Sequence, residues 1–452
     1  MSDLPILVAG AGAAGLAAAL AASEGGAEVI IAERSPHFRQ GSNSAMSTAM
    51  IPAGGSRWQV KHGIDDSPEQ FLSDMVRATD GTVDPRVSST LTSVAPQLVE
   101  WLADECAVPL ELATDFTYPG HSSRRCHTLS DRSGKSLLKY LLAAIDARDN
   151  ITLVTPLELS AVREADGSLE AQLSTPDGES GWEQFSAVVL ATNGYAGDAE
   201  LLRENIPDMV DAYYHGGDGS LGHAVRIGRS LGAETSYLDA YQGHGSLAMP
   251  HAILLTWAVM VHGGIMVNRH GRRFADESGS YSSFGAKVIA QPERIGWAIF
   301  DERISELCEP FADYQDIIAS KAVHEATSVD ELAVIIGCDV GSLREQLAAV
   351  ENHRAGRDVD PIGRLDFGKG LGSPYRAVRV TGALFHTQGG LVVDERARVQ
   401  RDGASIPGLY AAGGSAVGAS GHGSSGYLAG NGLLGALGLG YLAGRDAAAT
   451  AA

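Results

Sequence analysis

The sequence predicts an α/β protein, and its first 33 residues carry the strongest observations behind that prediction. Leu4 to Ala9 is a short apolar run typical of a buried strand, and Gly10-Ala-Gly12-Ala-Ala-Gly15 follows it directly. An alanine-rich stretch to about Ser23 then favours a helix, and Glu28 to Ala32 predicts a second strand. A strand, a glycine turn, a helix and a strand in this order are typical of a parallel sheet covered by helices.

The glycine turn between these strands predicts the binding of a dinucleotide. Free N–H groups at the start of the helix and the helix dipole favour a pyrophosphate, and the glycines let the backbone approach it closely. The second strand ends on Glu33, whose carboxylate is expected to accept hydrogen bonds from a ribose diol. The alternative is a glycine-rich strand–helix turn that binds no ligand.

Two later segments favour FAD over NAD as this dinucleotide. Ser186 to Asn193 (SAVVLATN) predicts a buried strand, and Ser405 to Gly414 (SIPGLYAAGG) predicts a turn, a strand and a glycine pair. Either segment alone could be one more core strand. Together with the N-terminal unit they resemble the strands of two-dinucleotide-type FAD folds.

Composition and charge argue against several other classes. The formal net charge of −21 disfavours nucleic acid or an anionic membrane as a partner. The four cysteines are scattered without C-x-x-C spacing, which disfavours a disulfide framework, a structural zinc site and an attached c-type haem. The N-terminus lacks the basic region of a signal peptide, and no apolar run approaches the roughly 20 residues of a membrane span. We therefore expect a cytoplasmic protein with no metal site and no membrane insertion.

Five further segments resemble motifs of one flavoprotein family and occur in that family's order. They are GSNSAMSTAMIPAGG (Gly41–Gly55), GIDDSPEQFLSDM (Gly63–Met75), GGDGSLGHAVRIGRSLGA (Gly216–Ala233), GGIMVNRHGRRFADE (Gly263–Glu277) and FHTQGGLVVD (Phe385–Asp394). The first is similar to the loop that wraps the flavin, the fourth to a cap-domain signature, and the fifth to the return into the FAD domain. The chain thus resembles soluble fumarate reductases, succinate dehydrogenase flavoprotein subunits and 3-ketosteroid dehydrogenases.

This resemblance implies an α/β fold made of a Rossmann-like two-dinucleotide-type FAD domain with an inserted α+β cap domain. The FAD domain would comprise residues 1–243 and 375–452, and the substrate-capping domain residues 244–374. The residues expected to contact FAD are Gly10, Gly12, Ala14, Gly15, Glu33, Arg34, Ser42, Asn43, Ser44, Ser47, Leu157, Ala191, Thr192, Gly194, Asp218, Gly413, Gly414, Gly430, Asn431, Leu433 and Leu434.

The resemblance also indicates how FAD is held. Family members that attach FAD covalently do so through a histidine in the wrapping loop, and the corresponding residues Asn43–Met46 include none. Non-covalent FAD is therefore expected. The nearby His37 precedes the loop and is expected to be a surface histidine.

The residues that align with the active site of the fumarate reductases have changed in character. His244 and His386 match two family histidines, but Trp257 stands at a glutamate position and Met260 at an arginine position. Tyr281 stands where the fumarate reductases have the arginine that donates the proton, and Tyr427 where they have an arginine that clamps a carboxylate. A dianion would lose its bidentate clamps in such a site, so fumarate reduction is not expected.

The tyrosines instead resemble those of the 3-ketosteroid dehydrogenases, in which one tyrosine removes a proton and another polarises a ketone. This implies Tyr281 as the base and Tyr427, with a backbone N–H near Gly430, as the donor to the carbonyl oxygen. His244 and His386 would orient the substrate, and FAD N5 would accept the hydride. For each histidine the alternative is a hydrogen-bonded core residue.

The segment before Tyr281 carries Arg272, Arg273, Asp276 and Glu277, and two interpretations of it remain open. It could be a solvated turn, or it could be a scaffold that holds the phenol over a reactive group. A phenol has an ordinary pKa of about 10 and is a poor base near neutrality. The arginines and the nearby histidines, 262 and 270, could assist it.

Tyr118 is a further candidate for the substrate pocket, because the ketosteroid enzymes use a tyrosine from this region. The basic residues Arg124, Arg125 and His127 could form a solvated loop or receive a substrate carboxylate. A smaller cyclic keto acid, such as 4-oxocyclohexanecarboxylate, would suit this second possibility. The alternatives to a ketone desaturase are an ene-reductase acting on an activated C=C bond and a non-catalytic flavoprotein or electron-transfer subunit. The expected partners are a small cyclic ketone and an external electron acceptor.

Overall fold

The computed structural model describes residues 4–115, 117–118 and 120–451, which divide into two compact units. The FAD unit comprises the chain up to Ile206, Gly216–Tyr241 and the residues from His386 onward. The cap unit comprises Pro207–His215 and Gln242–Phe385.

The first part of the FAD unit alternates strands and helices. Its strands are β1 (Ile6–Ala9), β2 (Val29–Ala32), β3 (Ile51–Pro52), β4 (Glu111–Leu112), β5 (Cys126–Thr128), β6 (Ile151–Val154), β7 (Glu158–Ala165), β8 (Ser168–Ser174), β9 (Ser180–Phe185) and β10 (Ala187–Leu190). Its helices are α1 (Ala13–Glu24), α2 (Phe38–Gly41), α3 (Asn43–Met46), α4 (Arg57–Lys61), α5 (Pro68–Ala78), α6 (Pro85–Asp104), α7 (Gly134–Asp146) and α8 (Ala199–Asn205).

The remainder of the chain contains the cap unit and the return to the FAD unit. Its strands are β11 (Tyr213–Tyr214), β12 (Thr235–Ser236), β13 (Tyr241–Ala248), β14 (Ile253–Leu254), β15 (Ile265–Val267), β16 (Ile295–Asp301), β17 (Val323–Ala326), β18 (Tyr375–Thr387), β19 (Gly390–Leu391), β20 (Arg398–Arg401) and β21 (Ala404–Ala411). Its helices are α9 (His223–Ser230), α10 (Ala258–Val261), α11 (Tyr281–Ile289), α12 (Glu302–Cys308), α13 (Ala312–Ala319), α14 (Val329–Ile336), α15 (Val340–Arg354) and α16 (Asn431–Ala451).

A six-stranded sheet organises the FAD unit, with strand order β20-β21-β10-β1-β2-β6. The five strands from β21 to β6 run parallel, and β20 pairs antiparallel at the edge. All four residues of β1 are buried, as expected for a strand covered on both faces. The strands predicted from residues 4–9, 28–32, 186–193 and 405–414 are confirmed as β1, β2, β10 and β21.

Helices α1 and α16 pack against each other at very short range. A Cβ built on Gly440 would lie 2.3 Å from the carbonyl oxygen of Ala14, and one on Gly444 would lie 2.1 Å from that of Ala18. No side chain larger than hydrogen fits at these two positions without moving a helix. The two glycines therefore allow the last helix to lie directly on the helix that begins at the glycine turn.

A second sheet organises the cap unit, with strand order β14-β13-β18-β16-β15, and β11 and β17 also pair with β18. The strand predicted at Ile265–Val267 is confirmed as β15. The turn predicted after it is also present, since Asn268 and Arg272 are joined by a backbone hydrogen bond of 2.9 Å.

The sequence-based domain limits of 243/244 and 374/375 stay a prediction, and the compact units divide the chain elsewhere. The boundary near residue 385 arises because β18 pairs with β16 and β17 from Tyr375 onward. Residues 207–215 join the cap unit because β11 pairs with the end of β18. In the described part of the chain, every helix is too short or too polar to cross a bilayer.

Candidate active site

The residues predicted to bind FAD all lie in the FAD unit, beside the carboxyl ends of its parallel strands. They follow β1 (Gly10, Gly12, Ala14, Gly15), β2 (Glu33, Arg34, Ser42, Asn43, Ser44, Ser47), β6 (Leu157), β10 (Ala191, Thr192, Gly194) and β21 (Gly413, Gly414, Gly430, Asn431, Leu433, Leu434), and Asp218 lies beyond β11 with its carbonyl oxygen 2.9 Å from Arg34 Nη2. Ligands of open parallel sheets bind outside this edge. The order of these segments along the chain agrees with a nucleotide at this edge, and the contact of each residue with FAD stays a prediction.

Glu33 follows β2 and accepts two backbone hydrogen bonds. Its Oε2 accepts from the N–H of Ala11 and its Oε1 from that of Ser35, both at 2.7 Å. An ionised carboxylate has about four acceptor sites, so acceptor capacity remains for a ribose diol. Ser44 Oγ accepts from the N–H of Ala13 (2.9 Å), which ties the predicted wrapping loop to the start of α1. His37 is exposed, as predicted.

Three predicted FAD contacts carry buried polar atoms without a hydrogen-bond partner among the described residues. They are Asn43 Nδ2, Thr192 Oγ1 and Asn431 Oδ1. Native proteins leave few such atoms unpaired, because each costs about 1–3 kcal/mol. The three atoms lie on three separate segments that a dinucleotide would touch. A donor and an acceptor side chain together with a hydroxyl fit the polar groups of FAD.

His386 and Tyr427 of the FAD unit converge on the first turn of α16. Their ring centroids are 5.6 Å apart. A Cβ built on Gly432 would lie 3.3 Å from both Tyr427 Oη and His386 Nε2, so both polar atoms lie beside that glycine. Burial raises the pKa of Tyr427 to about 12, although the N–H of Gly432 donates to its oxygen and opposes the rise. Tyr427 is therefore a neutral hydrogen-bond donor at physiological pH.

Two further residues fix the imidazole of His386. Ser420 Oγ donates to Gln388 Oε1 (3.0 Å), and in this orientation Gln388 Nε2 donates to His386 Nδ1 (2.8 Å). Nδ1 also lies 3.4 Å from the carbonyl oxygen of Thr387, but its contact with Gln388 is shorter. With Nδ1 accepting from Gln388, the proton of the neutral ring is assigned to Nε2. Burial lowers the pKa of His386 to about 4. His386 therefore offers Nε2–H, beside Gly432, as a donor rather than as an acid.

Tyr118 lies in the same neighbourhood of the FAD unit. It packs against the buried Met50, Ala113 and Cys126. The Cys126 thiol also acts electrostatically on Tyr427, so it lies near both phenols. Burial raises the pKa of Tyr118 above its ordinary value. A role for Tyr118 in a substrate pocket stays a prediction.

The basic cluster near Tyr118 differs from both sequence-based interpretations. The Arg125 side chain is fully buried and pairs with Asp66 (2.9 Å) and Asp74 (2.5 Å). His127 is also fully buried, with its Nε2 2.7 Å from Ser56 Oγ. The prediction of a solvated loop is therefore wrong for these two residues, and that of a carboxylate receptor is wrong for Arg125, because two aspartates neutralise the arginine. Arg124 is exposed.

Tyr281 and His244 form a second pair, within the cap unit. Tyr281 begins α11, which Ser280 caps by accepting from the N–H of Ser282 (3.2 Å). The tyrosine ring stacks on His244 of β13, with centroids 4.9 Å apart and an interplanar angle of 28°. The helix approaches the strand closely because Gly285 faces it; a Cβ there would lie 3.2 Å from the His244 backbone.

His244 is also held in one neutral form. Its Nδ1 accepts from the N–H of Ser246 (3.2 Å), while the Ser246 hydroxyl donates to the carbonyl of Leu255 (2.7 Å). The proton of the ring therefore lies on Nε2. Burial, assisted by the nearby His215, lowers the pKa of His244 to about 3.

Aromatic side chains surround His244 within the cap unit. Trp257 contacts it edge-on with centroids 5.6 Å apart, and Phe385 stacks at 5.8 Å. Trp257 is 7% exposed, and its Nε1 has no hydrogen-bond partner in the described part of the chain. The surroundings of this histidine are thus apolar where a charged substrate would need cations.

The segment before Tyr281 is buried at Arg273 and Glu277 and exposed at Arg272. Arg273 forms a bidentate ion pair with Glu277 (2.8 and 2.7 Å) and contacts Asp360 at 3.2 Å. Arg364 contacts Glu277 at 3.2 Å, and we call these four residues the cap ion cluster. The solvated-turn interpretation is wrong for Arg273 and Glu277, which are buried. The described hydrogen bonds of the Arg273 guanidinium are with members of the cluster. His270, a further candidate to assist the phenol, is exposed.

Sequence reasoning missed the residues that fix the two imidazoles. Ser246 and Gln388 each follow their histidine by two positions along the chain. Residues two apart in an extended segment lie on the same face, so the pairs His-x-Ser and His-x-Gln carried a usable signal. The backbone N–H predicted near Gly430 has a counterpart at Gly432, but this N–H donates to the oxygen of Tyr427 itself.

Comparisons with known proteins agree with this geometry. The model of the FAD binding domain family matches residues 5–433. A probable fumarate reductase of Shewanella frigidimarina is 27% identical, covering 98% of this chain and 74% of its own. The open conformation of a flavocytochrome c3 fumarate reductase superposes with a TM-score of 0.84 at 26% identity, covering 99% of this chain and 78% of its own. A 3-ketosteroid-Δ4-(5α)-dehydrogenase from Rhodococcus jostii RHA1 superposes with a TM-score of 0.78 at 23% identity, covering 98% and 96%.

These similarities confirm the predicted fold class, the predicted FAD cofactor and the predicted family resemblance. The family match extends over nearly the whole chain, and the solved structures include both fumarate reductases and ketosteroid dehydrogenases. The chain therefore belongs to the FAD binding domain family and is an FAD-dependent oxidoreductase.

Proposed function

We propose that this oxidoreductase desaturates a cyclic ketone by forming a C=C bond between the carbons α and β to the carbonyl. The substrate would be a 3-ketosteroid or a smaller cyclic keto acid such as 4-oxocyclohexanecarboxylate. The observation that carries the proposal is the uncharged character of the two histidines that lie beside the tyrosines. Burial lowers the pKa of His244 to about 3 and that of His386 to about 4, so both rings are neutral donors. Such donors suit a ketone oxygen better than a dicarboxylate.

The carbonyl end of the reaction is assigned to the FAD unit. The hydroxyl of Tyr427 donates a hydrogen bond to the ketone oxygen, and His386 Nε2–H donates a second hydrogen bond to the same oxygen. The N–H of Gly432 donates to Tyr427 and makes its hydroxyl a stronger donor. As the α carbon loses its proton, negative charge develops on the ketone oxygen, and fixed donors at that oxygen lower the barrier.

The proton transfer is assigned to the cap unit. Tyr281, as the phenolate formed after its hydroxyl proton passes to solvent, takes the proton from the α carbon, and the neutral His244 orients the substrate. The chemistry that FAD supplies when bound is acceptance of the β hydrogen as a hydride. The Cα–H and Cβ–H bonds break, the C=C bond forms, and the two electrons pass on to an external acceptor. The proposal places this enzyme in the cytoplasm.

The second candidate function is the reverse reaction, reduction of an activated C=C bond. Its support is the similarity to a probable fumarate reductase. The same residues would serve in both directions, with Tyr281 delivering a proton instead of taking it. A non-catalytic flavoprotein is the alternative of a different class.

Anaerobic mixing of the FAD-loaded protein with a panel of steroids, cyclic ketones and cyclic keto acids tests the proposal. We expect at least one ketone to bleach the flavin absorbance near 450 nm, at a rate well above that with succinate. Photoreduced enzyme mixed with fumarate supplies the reverse control. Fumarate turnover as fast as that of the best ketone would favour the reductase, and no bleaching by any compound would favour the non-catalytic alternative.

A further inference from the structure

The cap ion cluster is closed to solvent and balanced in charge. The side chains of Arg273, Glu277, Asp360 and Arg364 are at most 2% exposed. Two guanidinium groups face two carboxylates, and Glu277 Oε1 also accepts from the N–H of Met266 in β15 (3.0 Å). No charge of the cluster is left over for a substrate. Its role must therefore lie in what it holds in place.

Arg364 differs from Arg273 because it binds several backbone segments at once. Its Nη2 donates to the carbonyl of Met260 (2.9 Å), and its Nη1 donates to that of Gly264 (2.7 Å) and to Glu277 Oε2 (3.2 Å). Its Nε donates to the carbonyl of Asp366 (2.7 Å). One rigid, planar group thus joins α10, the start of β15 and the Glu277 carboxylate.

The segments that Arg364 joins carry two of the rings that contact His244. Met260 belongs to α10, whose first flanking residue is Trp257. Glu277 lies four residues before Tyr281, where α11 begins. Trp257 and Tyr281 contact His244 at centroid distances of 5.6 and 4.9 Å.

We propose that Arg364 is a positioning residue that sets Tyr281 and Trp257 against His244. Its catalytic consequence rests on the proposed function, because Tyr281 must act on the substrate for its position to affect turnover. Arg364 touches no reacting group itself. Its contribution is the relative orientation of α10 and the segment around Glu277. No other described contact of the cluster joins these two segments directly.

The fork of the guanidinium is the property that matters. A lysine at the same position would keep the positive charge beside Glu277, but its single ammonium group cannot reach both backbone carbonyls and the carboxylate in one plane. Buried ion pairs are weak evidence for stability and are better attested in fixing a unique arrangement. Misplacing a catalytic group by about 1 Å can cost 10²-fold in rate.

Arg364→Lys tests the proposal in the FAD-loaded protein, with the ketone that bleaches the flavin fastest. We expect kcat to fall about 10-fold to 10²-fold with KM changed by less than about threefold. Arg303→Lys is the matched control, because Arg303 donates to the carbonyls of His262 and Gly370 at 3.4 Å and touches no member of the cluster. The control should keep kcat within about twofold. An unchanged kcat in Arg364→Lys would overturn the proposal.

The coupling to Tyr281 separates positioning from a general structural role. In a Tyr281→Phe background, Arg364→Lys should have less than about a twofold further effect, since residues that act through one another are non-additive. The same fold loss in both backgrounds would show that Arg364 only stabilises the cap unit, and would overturn the proposal. If Tyr281→Phe alone left turnover unchanged, the proposed function would fail instead.

A readout independent of turnover keeps the inference testable in that case. The near-UV circular dichroism of Trp257, obtained by subtracting the spectrum of Trp257→Phe, should change in Arg364→Lys and not in Arg303→Lys. An identical Trp257 signal in both variants would contradict the proposal. Should Arg364→Lys fail to fold, Glu277→Gln keeps the shape of the carboxylate, weakens the same link and carries the same kinetic and spectroscopic expectations.

Discussion

The FAD unit and the cap unit each present a histidine beside a tyrosine, and the two pairs differ in how the phenol is held. In the FAD unit, the oxygen of Tyr427 receives the N–H of Gly432 and lies near His386 Nε2. In the cap unit, Tyr281 stacks flat on His244. Both histidines are buried and neutral. In the FAD unit a backbone donor thus contacts the phenol oxygen, and in the cap unit the phenol ring stacks on the imidazole.

The comparison separates two tasks that one residue type can perform. A donor needs a fixed oxygen and a high pKa, and burial raises the pKa of Tyr427 to about 12. A proton-transfer group needs an oxygen that changes charge during the reaction. The proposed roles of base for Tyr281 and carbonyl donor for Tyr427 follow this division.

Removal of the Tyr281 oxygen should give the largest effect. We expect Tyr281→Phe to keep the fold and bound FAD but to lose turnover by about 10²-fold to 10⁴-fold, as is typical of a proton-transfer residue. Exchange of the substrate's α hydrogen for deuterium, followed by NMR without an electron acceptor, should be lost as well. Exchange at the wild-type rate would show that another residue takes the proton.

Removal of the Tyr427 oxygen should give a smaller loss of a different kind. We expect Tyr427→Phe to slow flavin reduction by roughly 10²-fold, because one donor at the developing enolate is lost. Stopped-flow flavin bleaching measures this rate. Tyr281 is intact in this variant, so α-hydrogen exchange should slow but remain measurable. A complete loss of exchange with normal binding would reverse the two assignments.

Acid should weaken the FAD unit before the cap unit. Burial lowers the pKa of His121, His127 and His386 of the FAD unit to about 4. Below about pH 6.5 these histidines are protonated in the unfolded chain but stay neutral in the folded protein. Each histidine therefore lowers the free energy of unfolding by about 1.4 kcal/mol per pH unit, down to about pH 4. Stability therefore falls as the pH falls through this window.

The cap unit carries a compensating group. Burial lowers the pKa of His244 to about 3 but raises that of Asp313 to about 6. As the pH falls, Asp313 is protonated in the folded protein before it is protonated in the unfolded chain. It therefore adds stability as the pH falls from about 6 towards 3.8. Burial also lowers the pKa of the half-buried His223 of the FAD unit and of His215 and His262 of the cap unit. Flavin fluorescence and near-UV circular dichroism between pH 7 and 4.5 should show flavin release before the cap unit unfolds. Unfolding of the cap unit first would contradict the prediction.

Removal of an unpaired buried polar atom should give the smallest effect, a modest loss of FAD affinity. Thr192→Val removes an unpaired buried hydroxyl of nearly the same shape, so it should raise the melting temperature of the FAD-free protein and weaken FAD binding roughly 3-fold to 10-fold. Trp257→Phe removes one of the unpaired buried atoms of the cap unit and should leave FAD affinity unchanged. Fluorescence titration of the apoprotein with FAD measures both. Unchanged affinity in Thr192→Val would remove this hydroxyl from the FAD site.

How far the sequence predicted these features depends on the sequence distance between partners. The strand–turn–helix–strand unit around Gly10 to Gly15 is local, and its elements were predicted within a few residues. The burial of Arg125 was not, because its partners Asp66 and Asp74 lie 59 and 51 residues away. Arg364 was missed for the same reason, since it lies 87 residues from Glu277. A charged residue looks alike in a sequence whether or not a distant carboxylate neutralises it.

The close contact of Gly440 and Gly444 with α1 means that a shift at this end of α16 is transmitted along the helix to its first turn. The helix is fixed on the carbonyls of Ala14 and Ala18, and its first turn carries Gly432 beside His386 and Tyr427. Gly444 lies 12 residues from Gly432, or about 18 Å along the helix axis. A methyl group added at Gly444 would tilt the helix and displace the distant N–H that the Tyr427 oxygen accepts. Variation at this position should therefore be purged by selection as strictly as variation in a residue that touches substrate, although its neighbours are only alanines.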